Sequence, residues 1–192
     1  HRFGDGTNSL NISATGDVEL IGTAKYERHF IIPPTINGNP SDHPTQIALF
    51  TASALEFATT GTKYAHCEWE IPSDWDGTDV YIEIDWNPNS GAMSGTDTIK
   101  WDIEYRSLAQ DEAINLGTSV TVSETNSNDY AQYQSHHSRF TLVYNDANQP
   151  LTAQDHIFFK ISRDTSVAND FGGTVAVTAF EIVYISKGLP TN

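Results

Sequence analysis

Most apolar stretches of the chain alternate with a period of two. Val80, Ile82, Ile84 and Trp86 share one parity, while Asp79, Tyr81, Glu83 and Asp85 share the other. A second run repeats the pattern, with Ile99, Trp101, Ile103 and Tyr105 set against Lys100, Asp102 and Glu104. Alternation of this kind predicts strands with one buried and one wet face. Residues 18–22, 28–32, 48–57, 64–71, 119–123, 138–144, 156–163 and 174–185 read as further strands. Asn37-Gly38, Asp76-Gly77, Asn89-Ser90-Gly91 and Gly172-Gly173 separate them, since Asn and Gly tolerate positive φ. Pro33-Pro34 closes one strand, because proline cannot donate to a ladder. Only 108–116 has helical spacing, enough for a turn or two. The expectation is an all-β sandwich or barrel. Residues 1–22 are small, polar and Gly-rich before a short apolar run. They read as an N-terminal arm that packs on a neighbouring chain, and 23–192 as one β-sandwich domain.

At 192 residues the chain is long enough to bury a core as a single domain. Ten Lys and Arg against 25 Asp and Glu leave a formal net charge of −15. Polyphosphates and anionic lipids repel such a surface, so neither nucleic acid nor membrane is an expected partner. The sequence carries no charged-then-apolar leader and no long apolar run, so no signal peptide or membrane span is expected. Cys67 stands alone and alternates with Trp69 and Ile71, which reads as a buried, inert thiol.

Candidate chemistry is sparse. Glu83-Ile84-Asp85-Trp86 begins like the E-x-D-x-x-E strand of jelly-roll glucanases, but the third acidic position is Pro88. Proline can neither attack nor donate a proton, so the carboxylate pair of a retaining glycosidase is broken. Glu83 and Asp85 are then expected to face solvent, with Lys100 as a cross-strand partner. The seven histidines lack ligand spacing. His136 and His137 are adjacent and point to opposite faces of a strand, and His29, His66 and His156 read as hydrogen-bonded fillers. No metal, cofactor or catalytic residue is expected. Residues 74–79 resemble the start of a calcium loop, although Gly77 falls at position 4 and not 6, and no Glu arrives at 12. A tight turn is the simpler explanation, with calcium the alternative. Trp69, Trp86 and Trp101 alternate with aliphatics and read as core. Trp75, in a turn, is expected to be exposed, and Tyr130 and Tyr133 are expected to present their rings to a ligand or partner chain.

Several fragments recur in a fixed order. Arg2-Phe3-Gly4-Asp5-Gly6-Thr7-Asn8 is followed by Gly16-Asp17 and Gly22-Thr23-Ala24, then by Glu70-Ile71-Pro72-Ser73-Asp74-Trp75-Asp76-Gly77-Thr78-Asp79. Asp85-Trp86-Asn87-Pro88 and Trp101-Asp102-Ile103-Glu104-Tyr105 come next. The D-x-I-x-F-x-I-x-R-D of residues 155–164, Asp170 and a last strand ending near Tyr184 complete the series. In this order the chain resembles tailed-phage virion structural proteins. The resemblance implies a single jelly-roll-like antiparallel β-sandwich with an extended N-terminal arm, assembled as a homotrimer on a virion. Its members serve as capsid decoration or cement proteins, head fibres and tail-associated proteins. The implied partners are further copies of the chain and the major capsid protein or other virion proteins. Phe3, Asp5, Asn8, Leu20, Trp75, Tyr130 and Tyr133 are the expected contacts. Where such proteins often carry His-Trp before the proline, this chain has Asp85-Trp86, so no functional histidine is carried over. A glycan-binding fibre module and, on Glu83 and Asp85 alone, a glycosidase are the rival expectations.

Overall fold

Alternating parity becomes strand after strand in the computed structural model, which describes residues 2–4, 9–12, 14, 16, 18–21, 25–32, 41–49, 52–112 and 118–187. The first strands are β1 (Arg2–Gly4), β2 (Ser9–Ile12), β3 (Val18–Ile21) and β4 (Tyr26–Ile32). Then come β5 (Thr45–Leu49), β6 (Ala52–Phe57), β7 (Tyr64–Glu70), β8 (Val80–Pro88) and β9 (Ile99–Leu108). The last four are β10 (Val120–Asn126), β11 (His136–Leu142), β12 (His156–Arg163) and β13 (Val175–Ser186). Within the expected arm, β1, β2 and β3 pair as an antiparallel meander whose register aligns Phe3, Leu10 and Leu20. Asp5 and Asn8 lie outside the described residues.

Two sheets make the sandwich. One has four strands in the order β10-β9-β12-β7; the other has six, β11-β8-β13-β6-β5, with β4 also paired to β13. Counting β6 to β13 as strands one to eight, the sheets run 1-8-3-6 and 2-7-4-5. That is the double Greek-key order of a jelly roll, and every pairing among these eight strands is antiparallel. β4 and β6 occupy one lane along β13, beside residues 180–186 and 175–177 respectively.

The inward faces follow the alternation. Val80, Ile82, Ile84 and Trp86 of β8 meet Ile99, Trp101, Ile103 and Tyr105 of β9 in one buried cluster, which also holds Cys67 and Trp69. Phe57 packs edge-on against Trp101 at 5.1 Å between ring centres, and Trp69 lies 5.6 Å from Tyr184. Each such side chain contributes about 1.5–3 kcal/mol by leaving water. Burial raises the Tyr105 hydroxyl pKa to about 12, with the Asp146 charge adding to the effect.

Two local expectations change. The run 48–57 is not one strand: β5 and β6 fold back on each other with Leu49 opposite Ala52 and Ala48 opposite Ser53. An apolar run without a charge before Glu56 gives no period break to mark the reversal. Of 108–116, Leu108 ends β9 and residues 109–112 form a turn in which the Glu112 carboxylate accepts from the Ala109 N–H at 3.1 Å. Residues 113–117 lie outside the described residues.

Candidate functional site

A bulge in β13 decides what the six-stranded sheet shows on its outer face. Val177 opposes Trp86, but the next pair is Ala179 with Asp85, so Thr178 is inserted without a partner. One extra residue flips parity. Val175 and Val177 point inward before it, and Phe180, Ile182 and Tyr184 point inward after it. Glu181 is thereby placed outward, directly opposite Glu83 of β8. On the far side of β8, Arg139 opposes Glu83 and His137 opposes Asp85. On the far side of β13, His29 of β4 opposes Val183.

Four strands thus converge on one charged patch. His29 Nδ1 lies 2.9 Å from Glu181 Oε1, and its Nε2 lies 3.8 Å from Glu27. His137 places Nε2 3.3 Å from Glu83 Oε1 and Nδ1 3.1 Å from Asp85. Arg139 Nε lies 3.4 Å from the same Glu83 oxygen, and its guanidinium caps the Tyr81 ring at 4.0 Å. Glu83 is the centre of the patch, its side chain only 9% exposed. Partial burial opposes charge on His137, but the Asp85 and Glu83 carboxylates together outweigh it and raise its pKa. Glu27, Glu83, Asp85 and Glu181 face Arg139 as the one permanently charged cation in these contacts, so the patch is acidic at neutral pH.

The expectation for Glu83 is therefore corrected: it is buried, and it pairs with Arg139 and His137. Lys100 sits in the opposite sheet, with Asp164 at 2.8 Å and Asp102 at 3.3 Å. Parity tells which face a residue takes, but pairing depends on strand order, and β8 lies between β11 and β13. His136 and His137 do take opposite faces, with His136 packed on Trp86 and Tyr130.

Trp75 is also corrected. It is 5% exposed, its Nε1 donates to the Thr78 carbonyl at 3.0 Å, and its backbone bridges to Ser186. The turn after Pro72 folds the indole under the end of β13, so a turn residue becomes core. The neighbouring carboxylates are engaged by protein donors. Asp74 accepts from Tyr184 Oη at 3.1 Å and Ser186 Oγ at 2.6 Å. Asp76 accepts from Thr78 and the Lys25 ammonium, and Asp79 from the Tyr144 N–H at 3.0 Å. A structural turn accounts for them.

Tyr130 does not present its ring. It stacks on His136 at 3.4 Å and meets Trp86 edge-on at 5.5 Å, which closes that end of the sandwich. Tyr133 is on the surface, 61% exposed at a positive φ of 63°, with its N–H donating to the Pro88 carbonyl at 2.8 Å. The residues that sequence reasoning missed are His29 and Glu181, 152 positions apart. Their meeting depends on sheet order and on the Thr178 bulge, neither of which leaves a local signal.

No protein-family model and no curated protein matches the chain. Among solved structures, a chain of infectious bursal disease virus, Gt strain, has a TM-score of 0.41 at 10% identity, covering 88% of this chain and 34% of its own length. This chain thus spans about a third of that viral one. The xylan-binding module CBM15 reaches 0.42 at 12% identity, covering 84% and 97%. A Bacteroides vulgatus protein proposed to be a glycoside hydrolase reaches 0.37 at 6% identity, covering 94% and 93%. None of these three reaches a TM-score of 0.5, and the fold rests on this chain's own strand order.

Proposed function

We infer that the chain is a structural protein of a virus particle, acting through surface contacts in a self-associated assembly and performing no catalysis. The observation that carries this reading is the 1-8-3-6 and 2-7-4-5 strand order, a rigid frame that presents loops and sheet edges for contact. The resemblance of the ordered fragments to tailed-phage virion proteins supports it and favours a trimeric capsid decoration protein. Linked contacts on such a trimer reinforce one another through effective concentration. Against a glycosidase resting on Glu83 and Asp85, Glu83 has one oxygen held by Arg139 and His137 and is nine-tenths buried, while Asp85 is tied to His137. The third acidic position of the glucanase pattern is Pro88, so the carboxyl pair of a retaining glycosidase is incomplete on that strand.

Sedimentation of the full chain at micromolar concentration is the direct test. A trimer is the expected species, and a strict monomer overturns the reading. A map of the intact particle then shows whether the chain sits on the capsid or on the tail. The rival glycan-binding role has one specific observation behind it, the exposed Tyr133 ring. Hits on a glycan array that disappear in Y133A would replace the structural reading with that one.

A further inference from the structure

Glu83 and Glu181 stand directly opposite each other on adjacent strands, and like charges so placed destabilise a sheet. Their neighbours relieve only part of this. Arg139 and His137 both address Oε1 of Glu83, which leaves Oε2 without a protein partner among the described residues and open to solvent. Glu181 spends Oε1 on His29 Nδ1, and its Oε2 is likewise without a partner among the described residues. One donor atom each from His29, Glu83 and Glu181 lie within 4.8 Å of one another.

We propose that His29, Glu83 and Glu181 form a site for one divalent transition-metal ion, with zinc the closest chemical match. Calcium and magnesium take oxygen ligands, whereas an imidazole nitrogen beside two carboxylates suits zinc and its first-row neighbours. Tetrahedral zinc, with bonds near 2.1 Å, holds its ligand atoms roughly 3.4 Å apart. The three side chains reach that spacing by shifts of about 1 Å, within the freedom of ordinary rotamers. The ion replaces the His29–Glu181 hydrogen bond, offsets the opposed carboxylates and leaves a fourth position for water. Arg139 and His137 stay on Glu83 Oε1 as outer partners and orient that carboxylate. Three adjacent strands, β4, β13 and β8, each supply one ligand. Among the described residues β4 is paired only with β13, so the ion clamps a strand held along one edge.

The 192-residue chain, stripped with EDTA, is titrated with zinc chloride by calorimetry and followed by thermal unfolding. One ion per chain and a rise in Tm are expected. H29A and E181Q should each weaken binding by at least the roughly 10–100-fold that even an outer partner costs. H1A and H156A should leave stoichiometry and affinity unchanged; His156 pairs only loosely with Glu70, at 3.6 Å. Circular dichroism of the metal-free variants confirms that they fold. If one does not, cobalt substituted into the native chain reports a nitrogen and oxygen ligand set from its visible spectrum. No heat and no Tm shift at about 100 μM zinc, well above the affinities of built sites, overturns the proposal. So does zinc binding that both variants retain, or a calcium response of equal size that ignores H29A.

Discussion

The outer faces of the two sheets handle charge differently. On the four-stranded sheet, register places Lys160 opposite Glu104, with the ammonium 2.8 Å from the carboxylate, and Lys100 reaches Asp164 and Asp102. Ser119 and Ser123 donate to Glu104 and Asp102 across the β9–β10 ladder. These carboxylates thus find a cation or a hydroxyl on a neighbouring strand or loop. On the six-stranded sheet, register sets Glu83 against Glu181, and the cations lie to the sides. A face that neutralises itself needs nothing from outside. A face that opposes two carboxylates keeps unmet demand for positive charge, and that demand makes it the candidate site.

The largest effect should come from removing the cause of the difference. Deleting Thr178 alone only closes the bulge and leaves each face as it is. Deleting Thr178 and Ala179 together sets Phe180 directly after Val177, which drives Glu181 toward the core and turns Phe180, Ile182 and Tyr184 outward. No compact fold buries that set, so loss of cooperative unfolding and of the near-ultraviolet dichroism of the buried aromatics is expected. A sharp transition at the native Tm would mean that the bulge does not set parity. Next in size is R139A. It strips the permanent cation from Glu83, a carboxylate with little access to water, and uncaps Tyr81. A loss of about 1–3 kcal/mol in urea unfolding is expected, as for an under-satisfied buried polar group.

The sequence shows the frame and hides the join. Val80–Pro88 and Ile99–Leu108 alternate cleanly, so their inward residues are legible, as are Cys67 and three of the tryptophans. β13 is different: Val175, Ala176, Val177, Ala179, Phe180, Ile182, Val183 and Ile185 are apolar on both parities. A one-residue slip inside such a run cannot be located from periodicity. Trp75 misleads for a related reason, since turn composition says where the chain bends and not which side chain the bend covers. The His29, Glu83 and Glu181 cluster is a product of strand order and of the Thr178 bulge, and a single sequence carries no signal for either.

Acid should sharpen the contrast from the four-stranded side. The Lys100 ammonium, then the Ser166 hydroxyl and N–H, hold the Asp164 pKa down to about 2. A carboxylate depressed in the folded state contributes stability that is fully present above the ordinary aspartate value. That contribution is lost as pH falls from about 4 through about 2. Discounted for solvent screening, it amounts to about 1 kcal/mol. The stability gap between the native chain and D164N, measured by urea unfolding at successive pH values, should therefore close over that window. A gap that is constant down to pH 2 would mean that the Lys100 pair does not hold the proton off.

The smallest effect is the most discriminating, because it exchanges the two patterns. E181K, measured in chelator, places a cation opposite Glu83 as Lys160 stands opposite Glu104, and should stabilise the sheet by about 0.2–1 kcal/mol. K160E does the reverse, opposing two glutamates on a face where both positions are more than a third exposed. It should cost a similar or smaller amount, since solvent screens the repulsion there. The two variants carry opposite changes in net charge, and the native chain stands at −15. A general relief of acidity predicts the same signs. The control is therefore a lysine placed at exposed Glu70, on the edge strand β7, where His156 stands opposite and no carboxylate does. If E70K stabilises as much as E181K, total charge and not cross-strand register governs both faces. If only E181K does, the opposed carboxylates are a local cost that the fold carries at one place.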